Sequence, residues 1–270
     1  MRRDGWGYTF VVAAVLCVVC SVLVSGFAVA LRPWQEANKK LDQQKNVLIA
    51  AGMDVDAMDS DEIQGVFDDG TVVRLLIDLE TGEPLGEDVE VDAETYSQRD
   101  AANSSDLSTP IEPADALGGI KQREKYAFVY KVKNEAGVVD QVVLPVYGKG
   151  LWSTLYGFLA IDSDGETVRG ITFYEHKETP GLGGEVDNPN WKALWPGKKL
   201  TGDDGEVLLQ VIKGGVTENT SDPEYKIDGL TGATITCNGV SEMVKYWGGE
   251  NGYQPFLARF RESTGGGSDG

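Results

Sequence analysis

Four stretches decide the fold: YAFVYKVK at residues 126–133, VVDQVVLPV at 138–146, LYGFLAID at 155–162 and VRGITFY at 168–174. Each has the length of a strand and is rich in the β-branched and aromatic residues that fit a pleated, half-buried surface. The connections are short and carry Gly or Asp, as in Ser163-Asp164-Gly165, and connections this short join antiparallel neighbours. Strands are also predicted at Thr71–Leu79 and Val207–Lys213.

Helical signals flank this block. Pro33 to Ala51 combines Pro in a first turn, strong helix formers from Glu36 to Gln44, and a stop at Gly52. Short helices are predicted at Asp61–Phe67, near Pro113–Gln122, at Asn238–Trp247 and at Pro255–Arg261. Residues 83–124 are polar and read as loop-rich, and Ser263–Gly270 is a Gly/Ser-rich tail expected to be disordered. The predicted class is α+β, a mainly antiparallel sheet with flanking helices behind an N-terminal membrane helix. The expected domains are an anchor at 1–32, a helical and loop-rich membrane-proximal region at 33–124, a sheet domain at 125–262 and the tail at 263–270.

The anchor is read from an uncharged run from Tyr8 to Leu31, dominated by Val, Ala and Leu. As a helix rising ~1.5 Å per residue it exceeds the ~30 Å hydrocarbon core. Arg2-Arg3 and Ala28-Val29-Ala30 also imitate a signal peptide and its cleavage site. The length of the run and the interfacial aromatics Trp6, Tyr8 and Trp34 favour a retained span. Arg2 and Arg3 place the N-terminus in the cytoplasm, although Arg32, Lys39, Lys40 and Lys45 blur the count. Residues after 32 are therefore expected outside the cytoplasmic membrane.

Among 270 residues, 24 Lys and Arg face 43 Asp and Glu, a net charge of −19. That balance argues against a nucleic-acid partner, which needs a basic face. Cys17, Cys20 and Cys237 cannot build a disulfide framework and match no four-ligand zinc site, and His176 is the single histidine. No metal site is expected. Glycine, at 34 residues, is nearly twice its usual ~7 % share, which implies tight turns and close backbone approaches.

The segment Asp228-Gly229-Leu230-Thr231-Gly232-Ala233-Thr234-Ile235-Thr236 sets three threonines and two glycines just before a predicted helix. Unpaired N–H groups and the macrodipole at a helix start suit a phosphate. A threonine there is equally a plain N-cap.

These residues resemble the D-x-x-[ST]-G-A-T-x-[ST] flavinylation motif of FMN-binding domains, whose last hydroxyl residue carries FMN through a phosphoester. The resemblance implies Thr236 as the acceptor. His176-Lys177-Glu178-Thr179-Pro180-Gly181-Leu182-Gly183 resembles the E-T-P-G-L-G loop of the same domains. Gly184-Glu185-Val186-Asp187-Asn188-Pro189, Gly150 to Phe158, Leu75-Leu76-Ile77-Asp78 and the single span resemble the NqrC family of Na+-translocating NADH:quinone oxidoreductases. The RnfG family of Rnf electron-transport complexes shares both flavin motifs but lacks the Gly-Leu-Trp block and the Gly-Glu-Val-Asp-Asn-Pro continuation.

The resemblance implies that residues 125–262 are an FMN-binding domain. The chain would then carry electrons through covalent FMN in a bacterial inner-membrane complex that oxidises NADH, reduces ubiquinone and exports Na+, with other subunits of that complex as partners. It has no nicotinamide fingerprint and no charge within the span to line an ion path, so both tasks fall to other subunits. The alternatives are an Rnf-type subunit, or a membrane-anchored binding module in which the Thr-rich turn only caps a helix.

No Ser-His-Asp or Cys-His arrangement is available to activate Thr236. The resemblance implies a separate Mg2+-dependent flavin transferase that takes FMN from FAD and recognises Asp228 with Gly232 and Ala233. Expected contacts of the flavin are Trp152 and Leu182 for the ring, Glu178 and Thr179 at its edge, Gly183 for close approach, and Lys213 for the phosphate or the electron-rich edge. Thr231, Gly232, Ala233 and Thr234 complete the predicted site. Trp152 reads equally as a core aromatic and Lys213 as a solvated turn lysine. His176 reads as a surface residue and Cys237 as a small packing residue.

Overall fold

The computed structural model describes residues 5–86, 89 and 91–265, and its contacts divide the chain into two units, Met1–Gln43 and Gln44–Gly270. Arg2, Arg3 and residues 266–270, on which the expected orientation and part of the tail rest, lie outside the described residues.

Helix α1, Trp6–Ala50, makes up the described part of the first unit and continues into the second. Its apolar window has a mean hydropathy of 2.7 and no residue of it is buried within the chain. The window is long and apolar enough to cross a bilayer, and α1 carries the transmembrane helix of this chain. The separate helix expected from Pro33 does not exist, because α1 passes straight through that residue. An interior Pro forfeits one hydrogen bond and crowds the preceding turn, but helix formers on both sides carry the helix across it.

In chain order the second unit continues with α2 (Ser60–Asp68), β1 (Val72–Asp78), α3 (Gln98–Ala101), β2 (Ser108–Pro110) and β3 (Gln122–Glu124). Next come β4 (Tyr126–Lys133), β5 (Val139–Lys149), β6 (Thr154–Asp162), β7 (Val168–Glu175) and α4 (Pro189–Lys192). β8 (Gln210–Val211), β9 (Lys226–Ile227), α5 (Thr234–Gly248) and α6 (Gln254–Gly265) complete it. Its base is a five-stranded antiparallel sheet in the order β1-β4-β5-β6-β7. β1 pairs with β4 from Val72↔Val132 to Asp78↔Tyr126. Part of the stretch expected to stand apart at 33–124 is thus an edge of the sheet. β2 and β3 form a small hairpin of their own.

Both faces of the sheet are covered. On one, Leu144, Val146, Leu155, Leu159 and Ile171 bury against Val240, Met243, Val244 and Trp247 of α5 and against Phe256 and Phe260 of α6. On the other, the Thr172 hydroxyl donates to Asn46 Oδ1 at 3.0 Å and Gln141 Nε2 to the Ala51 carbonyl at 3.1 Å. These bonds fasten the end of α1 that lies in this unit. Helix α2 is set by a capping box in which Asp59 Oδ1 accepts from Glu62 N and Glu62 Oε2 from Asp59 N.

The end of β5 positions the site. β4 pairs with β5 only from Tyr130↔Val143 to Lys133↔Val139, whereas β6 pairs with it through Lys149↔Thr154. The outer half of β5 is therefore an edge on one side, and it tolerates Pro145, which has no N–H to give. The freed carbonyls are used by the helical layer: Tyr253 OH donates to Pro145 O and Trp247 Nε1 to Tyr147 O, each at 2.8 Å. Tyr147 OH in turn donates to Glu124 Oε2 at 2.7 Å, and Gln98 Nε2 to Glu124 Oε1 at 2.8 Å. Burial pushes the Glu124 carboxyl up, against the pull of these two donors.

Two further elements depart from expectation. The helix near Pro113–Gln122 is only a 3-10 turn, Leu117–Gly119, because Gly118 and Gly119 take φ of +59° and +69°. Gly118 N donates to Glu242 Oε2 of α5 at 3.1 Å. The strand at Val207–Lys213 shrinks to β8, paired in parallel with β9. Its apolar residues Val207 and Leu209 are drawn into the core instead. α6 also runs to Gly265, so the first residues of the expected tail are helical.

Candidate functional site

Helix α5 begins at Thr234 rather than near Asn238, which puts Thr236 in its first turn. Its N-cap is Ala233, and no side chain caps it. None of the three threonines is therefore an N-cap, and Thr231 and Thr234 are exposed while Thr236 is buried. The helix lies so close to the end of β5 that a Cβ on Gly239 would come within 2.0 Å of the Lys149 carbonyl oxygen.

Thr236 is buried because three segments close on it. The Thr236 hydroxyl donates to Glu178 Oε2 at 2.7 Å. The β5–β6 connection supplies the other donors to that carboxylate: Trp152 N at 2.9 Å and Ser153 N at 3.2 Å to Oε1, and Leu151 N at 3.2 Å to Oε2. Burial pushes the Glu178 carboxyl up, but the Thr236 hydroxyl and the three N–H groups outweigh it, leaving it below the usual carboxylate range. A Cβ on Gly183 would meet Thr236 Oγ1 at 2.5 Å, and one on Gly150 would meet Glu178 Oε1 at 2.6 Å. Only bare backbone fits over this pair.

The Glu178 loop is a tight construction. The Thr179 carbonyl accepts from Leu182 N and Gly184 N, around Gly181 at φ +77°. His176 is not the open surface residue its sequence position suggests. Its Nδ1 accepts from Glu178 N at 3.2 Å, so Nε2 carries the proton to Asp187 Oδ2, 2.6 Å away, and the ring pins both ends of the loop. Asp228 fastens the opposite wall: Oδ1 accepts from Val216 N at 2.7 Å and its carbonyl from Trp191 Nε1 at 2.8 Å. Cys237 is buried with its thiol pushed up by desolvation, and its Sγ accepts from Leu230 N. It is a packing residue held as the unreactive thiol.

Residues 150–248 match the FMN-binding domain family. NqrC of the Na(+)-translocating NADH-quinone reductase of Yersinia pestis is 44% identical over 263 residues, covering 97% of this chain and 96% of that protein. Its counterpart in Pseudomonas aeruginosa is 44% identical over 260 residues, covering 94% and 95%. The chain belongs to the NqrC family. The crystal structure of Shewanella oneidensis NqrC superposes with a TM-score of 0.74 at 36% identity, covering 83% of this chain and 99% of that one. The counterpart from Parabacteroides distasonis gives 0.63 at 28%, covering 84% and 96%.

The residues present suit an FMN of this family. Trp152 is 70% exposed, so it is not a core aromatic, and Leu151, Leu182 and Ile235 are 48%, 44% and 57% exposed. These apolar side chains stand on the three segments that converge at Thr236, and a planar apolar ring needs such area beside a few fixed polar groups. Gly232 takes φ +75°, and a Cβ there would come within 3.0 Å of Leu182 Cδ2. The Leu182 side chain thus packs directly against the bare backbone of Gly232, joining the Glu178 loop to the Thr-rich turn.

Thr179 is exposed at the loop tip and Ala233 is buried beneath the helix start. Lys213 is exposed on the loop fastened to Asp228 and has no ion-pair partner among the described residues. Sequence reasoning missed that the Glu178 carboxylate points inward at Thr236 and away from the rim. It also passed over Ile235, whose place inside the Thr-rich segment was the available signal.

Proposed function

We propose that this chain is the electron-carrying subunit of a Na+-translocating NADH:quinone reductase and holds FMN by a phosphoester to Thr236. The observation that carries the reading is the convergence of the Thr-rich turn, the Glu178 loop and the Leu151–Ser153 segment on one threonine hydroxyl. Family membership supports it over an Rnf-type subunit or a binding module without flavin. Bound FMN supplies reversible electron transfer. The protein's part is to tether it at Thr236, cover the ring with Leu182 and Trp152, present the N–H groups at the start of α5 to the phosphate, and add the charge of Lys213. A tether matters outside the cytoplasm, where a lost cofactor is not readily replaced. Other subunits oxidise NADH, reduce quinone and conduct Na+, and a flavin transferase installs the FMN. The mass of the Thr236-containing peptide from native membranes tests the linkage: an unmodified peptide refutes it.

The uncharged span supports a single-pass protein of the bacterial inner membrane with the flavin domain outside the cytoplasm. Protease added to intact spheroplasts is expected to remove the Thr236 peptide and spare the N-terminus. Full protection of that peptide reverses the topology.

Leu182→Ala separates tether from pocket. The ester does not depend on ring packing, so flavin content should stay at the wild-type level. Water admitted beside the ring favours the charged, reduced flavin, because desolvation penalises charge. A differential of roughly 1 kcal/mol for the lost apolar contact corresponds to about 40 mV for one electron. The midpoint is therefore expected to rise by that order in a redox titration; an unchanged midpoint removes Leu182 from the pocket.

A further inference from the structure

Of the three hydroxyls in the Thr-rich segment, Thr236 is the least accessible at 1% exposure, whereas Thr231 and Thr234 are open to solvent. Accessibility alone favours the wrong two. What distinguishes Thr236 is its partner: its hydroxyl donates to Glu178 Oε2 at 2.7 Å, and neither other threonine has a carboxylate partner among the described residues. This inference rests on the attachment at Thr236 proposed above.

We propose that Glu178 is the catalytic base of flavin attachment, supplied by the acceptor protein itself. In the step, Thr236 Oγ1 bonds to the phosphorus of the flavin mononucleotidyl group of a flavin dinucleotide, and the bond from that phosphorus to the departing nucleotide phosphate breaks. The hydroxyl proton passes to Glu178 Oε2 and no electrons change hands.

The geometry meets the requirements of a general base. The oxygen lies within hydrogen-bond reach of the proton it takes. The carboxylate is held independently of Thr236 by Leu151 N, Trp152 N and Ser153 N, so it stays in place as the hydroxyl loses its hydrogen. It is ionised in the resting protein because those same donors favour the charged form. A carboxylate is too weak to deprotonate a free alcohol, but the hydroxyl becomes strongly acidic as its oxygen bonds to phosphorus, which is when the proton moves. Gly183 and Gly150 leave the pair covered by backbone only, so a small displacement of the Leu182–Gly184 turn opens the hydroxyl.

The proton does not stay on Glu178. The three N–H donors that remain after the bond has formed still favour the carboxylate, so the proton passes on to solvent or to the departing nucleotide phosphate.

The test loads the full chain, expressed without transferase, using purified transferase, FAD and Mg2+, and follows covalent flavin by in-gel fluorescence and peptide mass. Glu178→Gln is expected to load about 100-fold more slowly near neutral pH, the low end of what a positioned base contributes. Its rate should climb about tenfold per pH unit where the wild-type rate is flat, because hydroxide replaces the missing base; a merely structural residue changes no such slope. Loading of Glu178→Gln at the wild-type rate, or with the wild-type pH profile, overturns the proposal and puts the proton acceptor in the transferase. If Glu178→Gln does not melt cooperatively, Glu178→Asp decides: at least tenfold slower loading supports the proposal and wild-type loading overturns it. Flavin that maps to another residue in the wild type refutes the attachment reading itself, which is a different failure.

Discussion

Thr236→Val is expected to fold and to run dark on a denaturing gel, while wild-type protein made with its flavin transferase fluoresces. A methyl in place of the hydroxyl has no nucleophilic oxygen, so the loss of covalent flavin is complete rather than partial. Valine keeps the shape of the buried side chain, and Glu178 keeps three of its four donors. The lost hydrogen bond costs about 1–3 kcal/mol, against a total stability of about 5–15 kcal/mol for an ordinary domain. The variant should also respond less to acid. Glu178 titrates below its ordinary value in the folded state, so its stabilisation is present above the unfolded carboxylate pKa and is lost as pH falls through the folded one. Removing one of its donors shrinks that difference, and the acid-dependent fall in melting temperature should be smaller in Thr236→Val. Fluorescence retained by the variant would move the acceptor to Thr231 or Thr234.

Gly239→Ala and Gly65→Ala make the same change in two helices and are expected to move stability in opposite directions. In α2, a Cβ on Gly65 meets nothing within 4 Å, so alanine contributes its helix propensity, a gain of roughly 0.5–1 kcal/mol. In α5, a Cβ on Gly239 would overlap the Lys149 carbonyl at 2.0 Å, with Gly150 Cα at 3.4 Å. Both are backbone atoms of the strand end and cannot rotate away. Overpacking of this kind costs about 1–3 kcal/mol or more, which outweighs the propensity gain. To escape, α5 must shift off β5, carrying Thr236 away from Glu178. Melting temperature should fall, by ~2–4 °C per kcal/mol for a unit of this size, and flavin loading should fall with it. A Gly239→Ala protein as stable and as readily loaded as wild type would show that the helix–strand contact does not set the acceptor's position.

The local patterns of the sequence determined a good deal. β4 is read from Tyr126 to Lys133 as it stands, because alternation and β-branching are properties of neighbouring residues and survive any packing. The membrane span is equally local: an uncharged run has the same length and hydropathy wherever the chain goes. The Thr-rich turn was legible from its spacing and from resemblance, neither of which needs coordinates. What failed was decided by partners distant in the chain. Val207 and Leu209 have a strand's composition, yet the core takes them as loop residues because apolar burial against α5 is worth more than a longer two-stranded ladder. Leu117–Gly119 turns instead of continuing a helix where Gly118 meets Glu242 and Met243 of α5.

The Glu178–Thr236 bond joins residues separated by 58 positions. No periodicity encodes such a pair, since its members meet only once the sheet has set the angle at which α5 crosses β5. The sequence by itself therefore determined which residue types are on hand: a span, a sheet, a threonine turn and a glycine-rich loop. Only the tertiary structure decided that one of three threonines is buried against a carboxylate and the other two face water, because burial and hydrogen bonding belong to the assembled chain and not to any segment of it.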